Sequence, residues 1–310
     1  MNVLVTGGAG FIGSNLVESL LGQGHAVSII DNFDDGYDPA IKRRNLVPVA
    51  GHVRLVEGDI RDPRTVEQAL EGVEVVAHLA ARAGVRPSLE DPSTYIDINI
   101  QGTQSLLDAM HKRGVGRIVY ASSSSVYGAR HEGPFVESDS LAPVSPYAAT
   151  KLAGELLCHA AARNRGIQAT CLRLFTVYGP RQRPEMAIHL FVRRALASEP
   201  IQRFGSGVSR RDYTFVSDIV GGISAAIARP RDWAVYNIGN GNPVTLNQLL
   251  EAISEVFEVE LNVEPAPDQL GDVPITWADV SKAAEELGYR PETSLTAGLV
   301  AFREWIEASG

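Results

Sequence analysis

The chain has 310 residues, 45% of them hydrophobic and 21% charged, with 37 acidic against 28 basic side chains and a formal net charge of −9. That composition describes a globular chain with room for a sizeable core. Its acidity, with no basic cluster on any one segment, argues against nucleic acid or an anionic membrane as partner. The two cysteines, Cys158 and Cys171, lie far apart inside apolar stretches, so a reducing compartment and no metal site are expected. The N-terminus enters a strand pattern directly, and no apolar run approaches the ~20 residues of a membrane span, so the protein is expected to be cytoplasmic.

In chain order, residues 2–7 (NVLVTG), 26–31 (AVSIID), 53–58 (VRLVEG), 73–80 (VEVVAHLA), 116–122 (GRIVYAS) and 168–174 (QATCLRL) read as strands. Helical patterns fall at 11–21, 64–70, 95–113 and 146–165. The strands are apolar runs rather than alternations, which is the mark of a sheet covered on both faces. Alternation with helices predicts an α/β fold, a Rossmann-type doubly wound parallel sheet. After Thr176 the pattern loosens into Pro-, Gly- and Arg-rich loops with shorter helices, which predicts a smaller α/β lobe. The division expected is a first domain over 1–174, with 212–239 returning to it, and a second lobe from 175–211 and 240–310.

The first chemical motif is Gly7, Gly10 and Gly13 in TGGAGFIG, between the first strand and the first helix. Glycines there permit a tight turn and let a pyrophosphate approach the unpaired amides of the helix N-terminus, with Phe11 and Ile12 beside it. Asp31, followed by Asn32, ends the second strand, where a carboxylate can bond the adenosine ribose and would repel a 2′-phosphate. NAD is therefore expected over NADP. Asp59 and Ile60 after the third strand are placed to flank the adenine, although an Asp capping a turn fits as well. Tyr147 and Lys151 form a Y-x-x-x-K pair in SPYAATK, four residues apart and so on one helix face. A tyrosine with a pKa near ~10 is a poor base at neutral pH, and an adjacent ammonium together with the nicotinium charge favours its ionised form.

The glycine spacing together with Y-x-x-x-K resembles the extended short-chain dehydrogenase/reductases, and within them the NAD-dependent UDP-sugar 4-epimerases. The resemblance runs through HLAARAGVRPSLEDP (78–92), LRLFTVYGPRQRPEMAIHLF (172–191), RRDYTFVSD (210–218) and YNIGNGNPVTL (236–246). It implies that Ser123, Tyr147 and Lys151 are catalytic. It also implies that Leu79, Ala80, Ala81, Asn99 and Ser122 join the cofactor set, with Lys151 on the nicotinamide ribose. Arg86, Arg183, Met186, Arg211 and Asp272 are implied at the UDP-sugar, Arg211 on the diphosphate and Asp272 on the uridine ribose. Such relatives commonly carry Arg where this chain has Gln269, so Arg181 or Arg183 would supply that charge.

Dehydratases of the family carry Asp-Glu where this chain has Ser124 and Ser125, and elimination of water needs such an acid and base. Oxidation and re-reduction at C4, with NAD not consumed, is what remains. The hydroxyls of Ser124, Ser125 and Thr176 resemble those of the UDP-glucuronate 4-epimerases, which implies a cluster around a C6 carboxylate. A self-satisfied serine turn is the other reading of Ser124 and Ser125. UDP-glucose/galactose or an N-acetylhexosamine substrate is the alternative, because Thr276 beside Trp277 is small; a non-catalytic NAD-binding regulator is a more distant one. A homodimer through the helices at 95–113 and 146–165 is implied by resemblance.

Overall fold

The computed structural model describes residues 1–267 and 272–309; Gln269 lies outside the described residues. Seven strands build one sheet: β1 (Asn2–Thr6), β2 (Ala26–Asp31), β3 (Val53–Glu57), β4 (Val75–His78), β5 (Arg117–Ser123), β6 (Gln168–Leu174) and β7 (Trp233–Ile238). Their order is β7-β6-β5-β4-β1-β2-β3, and every neighbouring pair is parallel. This is the Rossmann-type arrangement. Val3 and Val5 point into one core with Leu16, Val17, Ile219 and Ile223, from the helices Phe11–Gly22 and Val216–Ala228. Leu4, between them in sequence, points into the opposite core with Ile30, Leu106, Met110 and Cys158. Both faces are covered, which is why the strands read as unbroken apolar runs.

The chain leaves β1 toward β2 and β3 on one side, then crosses to β4 on the other. Ligands of such sheets bind at this switch point, outside the carboxyl ends of the strands.

Some boundaries differ from the sequence pattern for identifiable reasons. The run at 73–80 yields a strand only over Val75–His78, because the amides of Leu79 and Ala80 turn onto the Thr6 hydroxyl at 3.1 Å each. The helix at 64–70 starts a residue early at Pro63, capped by the Asp62 side chain, which accepts from the Arg64 amide. The segment at 95–113 is not one regular helix: Pro92–Tyr95 passes into a π-helical stretch, Ile96–Gln101, before Gly102–Arg113. Such π stretches re-aim side chains and recur at functional sites.

The second lobe has its own core, in which Tyr178, Ile188, Phe191, Leu249, Ile253, Leu299 and Phe302 pack together. The pairings Arg210–Arg211 with Val244–Thr245 and Ile201–Phe204 with Val263–Ala266 support it, and Thr176–Tyr178 with Tyr213–Phe215 joins it to the segment 212–239. Val126, Tyr127, Phe135, Phe175, Ile275 and Ala278 form a further apolar cluster, built from both parts of the chain. Among the described residues no helix is long and apolar enough to cross a membrane.

Candidate active site

A cleft of about 600 Å³ opens at the carboxyl ends of the sheet strands and is shared with the second lobe. The glycine turn forms one end. Gly7 has a φ of +69°, and a Cβ there would lie 2.9 Å from the Ala80 backbone. A Cβ on Gly13 would lie 2.2 Å from the Gly7 carbonyl oxygen, so any side chain would force the turn open. Gly10 caps the following helix with no side-chain bond, which leaves the first-turn amides to an anion.

At the tip of β2, Asp31 accepts the amides of Ala9 and Phe33 at 2.9 Å each. Burial raises its carboxyl above the ordinary carboxylate range, and those two amides oppose the rise. Asp59, after β3, is tied by Arg61 and by the Asn32 amide at 3.0 Å, and the Arg61 bonds hold its carboxyl low. Tyr37 Oη is buried with no hydrogen-bond partner among the described residues, in a side chain that lines the same cleft. A turn that admits no side chain, uncapped amides, a terminal acid and an orphaned phenol all fit a dinucleotide.

Behind this floor runs a buried, uncharged relay. Thr103 Oγ1 donates to the Asn99 carbonyl at 2.6 Å and therefore accepts from His78 Nε2 at 3.0 Å. His78 Nδ1 then accepts the Thr6 hydroxyl at 2.7 Å. Burial drives the His78 pKa down to about 3, so the ring is neutral. Sequence reasoning assigned nothing to His78, although an imidazole inside VVAH was a visible anomaly.

At the other end stand Ser123, Tyr147 and Lys151, all three in the cleft wall. Ser123 ends β5 and caps a short 3-10 turn, accepting the Ser125 amide at 3.2 Å and the Ser125 hydroxyl at 2.8 Å. Ser125 satisfies the turn, while among the described residues the hydroxyls of Ser124 and Thr176 have no protein hydrogen-bond partner. Tyr95 holds the Tyr147 ring edge-on, with centroids 6.3 Å apart. Burial raises the Tyr147 phenol, while the Ser123 hydrogen bond and the Arg183 charge lower it. The Lys151 ammonium lies over the Tyr120 ring at 4.7 Å, and burial depresses its pKa to about 8.

A charged network backs this end. Arg173 donates to both oxygens of Glu155, at 3.0 and 2.9 Å, with both side chains only 4% exposed. Ser122 also donates to Glu155. Arg173 reaches Tyr127 Oη at 3.0 Å, and that hydroxyl donates to Asn237 at 2.6 Å. None of this was read from the sequence. Glu155 one turn beyond Lys151, and an Arg inside QATCLRL, were the available signals.

Of the site residues expected from sequence, all but one line the cleft. Asn99 does not: it lies behind the wall, 2% exposed. It accepts the Arg82 amide at 2.8 Å and donates to the Arg82 carbonyl at 3.0 Å and to Thr150 at 2.9 Å. Its polar atoms are committed to protein, because the π-helical stretch aims it there. Arg181 is turned away to Glu18 at 2.7 Å, whereas Arg183 remains in the cleft beside Glu185. Arg211 and Asp272 form an ion pair at 3.2 Å with Arg86 3.9 Å from the same carboxylate.

Fold and cleft define an NAD-binding enzyme of the short-chain dehydrogenase/reductase type. The profile of the NAD dependent epimerase/dehydratase family matches residues 3–239, and the chain belongs to that family. It is 40% identical over 308 residues to the UDP-glucuronate 4-epimerase of Thermodesulfobacterium geofontis (strain OPF15), covering 97% of this chain and 95% of the relative. The solved UDP-glucuronic acid 4-epimerase from Bacillus cereus, in complex with UDP-glucuronic acid and NAD, matches with a TM-score of 0.95 at 35% identity over 100% of both chains. The UDP-glucose 4-epimerase from Thermotoga maritima matches with a TM-score of 0.93 at 34% identity, covering 100% of this chain and 99% of that one.

Proposed function

We propose that this chain inverts C4 of a UDP-hexose through a 4-keto intermediate, with UDP-glucuronate converted to UDP-galacturonate. The observation that carries the reading is the wall of hydroxyls, Ser123, Ser124, Ser125 and Thr176, in the cleft that also holds Tyr147 and Lys151. No acid–base pair for dehydration stands at 124 and 125.

Tyr147 takes the O4 proton and later returns it. Ser123, already accepting twice from Ser125, keeps its own O–H hydrogen free for O4 or for the Tyr147 oxygen. Arg183 and Ser123 oppose the burial that keeps the phenol protonated, and the Lys151 ammonium and the nicotinium charge of bound NAD would act in the same direction. The glycine turn, Asp31 and Lys151 would hold NAD, which when bound accepts the C4 hydrogen with its electron pair and gives it back. Arg211, Asp272 and Arg86 grip the UDP end, and the sugar turns about its link to the diphosphate to present its other face. Ser124 and Thr176 bond the C6 carboxylate without neutralising it. They hold its bond to C5 out of line with the ketone, which restrains loss of CO₂.

A UDP-glucose/galactose substrate is the second reading, favoured by the small Thr276 in the cleft wall and by the Thermotoga maritima likeness. The test is incubation with UDP-glucuronate, UDP-glucose and UDP-N-acetylglucosamine separately, resolving the C4 epimers. Preferred conversion of UDP-glucuronate is expected; preferred conversion of either neutral sugar overturns the assignment.

Within this reading, 1–174 with 212–239 is the NAD-binding domain, and 175–211 with 240–310 is the UDP-sugar lobe. We place the protein in the cytoplasm as a homodimer. The helices Gly102–Arg113 and Pro146–Arg165 lie side by side, and Leu156 on the second is 61% exposed, as a dimer face would require.

A further inference from the structure

An epimerase recovers its starting redox state only if one dinucleotide stays in place through both half-reactions, so something in the fold must keep it there. We propose that the ion pair between Arg82 and Asp34 is a clasp that retains the dinucleotide between turnovers, an inference that rests on the NAD-binding reading of the cleft. Asp34 follows β2 and Arg82 follows β4, and these are the two strands that flank β1 in the sheet. The pair therefore joins two loops across the carboxyl end of β1, where the glycine turn opens. Both residues line the cleft, and each side chain is about one-third exposed.

Exposed ion pairs are usually worth little, because two long side chains must be ordered to make them. Here much of that ordering is already done. Asn99 grips the Arg82 backbone at both its amide and its carbonyl. On the other side, the Asp34 amide donates to Asn32 Oδ1 at 3.0 Å and the Asp34 carboxylate accepts the Gly36 amide at 2.8 Å. Lys42 Nζ donates to the Asp34 carbonyl at 2.6 Å, and its ammonium lies 4.8 Å from the centre of the Tyr37 ring. The loop wraps the guanidinium so closely that a Cβ on Gly36 would lie 2.6 Å from an Arg82 nitrogen. The buried Asn99, placed behind the wall, acts as the anchor of this clasp.

The test measures cofactor exchange rather than turnover. Native protein, Arg82→Ala, Asp34→Ala, the double alanine variant and the charge-swapped pair Arg82→Asp/Asp34→Arg are loaded with radiolabelled NAD, and its loss into excess unlabelled NAD is followed. Thermal unfolding of each variant reports that it is folded, and Asp34→Asn serves as the milder change. Each single variant should release label about fivefold faster, the double alanine variant no faster than the singles, and the swapped pair more slowly than either single. Unchanged release in either single variant overturns the clasp. Faster release in Arg82→Ala with native release in Asp34→Ala also overturns it, because Arg82 would then be a direct ligand of the pyrophosphate. If native protein neither carries NAD when isolated nor takes up label, the NAD reading itself has failed, and the clasp with it.

Discussion

Two polar networks stand behind the cleft, and they are built on different principles. The cofactor floor rests on Thr6, His78 and Thr103, neutral groups whose donors and acceptors interlock with no charge among them. The serine and tyrosine end rests on Glu155 and Arg173, a fully buried ion pair that ties β5, β6 and the Tyr147 helix together. A neutral relay is satisfied by geometry alone. A buried ion pair is secure only while both partners remain, because its desolvation is offset by their mutual attraction. Lys151 stands between the two: burial lowers its pKa, a fall that the nearby Glu155 only partly opposes, and its charge helps to lower that of His78.

The largest effect expected comes from breaking the charged network on one side. Glu155→Ala leaves the Arg173 guanidinium buried without its carboxylate, at a cost of about 3–5 kcal/mol. A Glu155→Met/Arg173→Met double variant should recover most of that stability in denaturant melts, and equal loss in both would contradict the ion-pair account. Next comes Lys151→Met. A buried ammonium whose folded pKa lies near 8 against 10.5 unfolded costs stability at pH 7, a cost that disappears as pH rises through that interval. The variant should therefore be more stable at pH 7 by about 1–3 kcal/mol while losing activity. A stability equal to native would show that the ammonium is solvated.

The neutral relay gives the smallest and most pH-specific effect. Below pH 6.5 the unfolded chain protonates its histidine while folded His78 stays neutral down to about 3, so this group makes stability fall as pH falls through that window. His78→Gln should begin about 1–2 kcal/mol less stable at pH 7. It should also show a shallower loss between pH 6.5 and 4 than the native protein. Parallel curves would mean that His78 does not carry the acid sensitivity.

Much of this was legible from local pattern. The apolar runs announced a sheet covered on both faces, and the glycine turn and Y-x-x-x-K pair located the two ends of the cleft, because each is a short-range constraint on backbone or helix face. What escaped was set by long-range pairing. That Glu155 meets Arg173, or Arg82 meets Asp34, depends on which strands lie side by side, and spacing along the chain does not encode it. Asn99 was implied in the cofactor set by resemblance alone, and its bonds to Arg82 and Thr150 depend on a π-helical stretch that the sequence pattern does not reveal. The Arg183 charge that lowers the Tyr147 phenol comes from a loop far along the chain, which the spacing around Tyr147 does not announce.

The proposed inversion is an internal oxidation and re-reduction at C4 in which Tyr147 handles the proton. It is tested most directly by running the reaction on UDP-glucuronate in D₂O, without added NAD, with native protein and Tyr147→Phe. The native protein should give UDP-galacturonate carrying ordinary hydrogen at C4, and the variant no product. Deuterium at C4, or undiminished conversion by Tyr147→Phe, would contradict it.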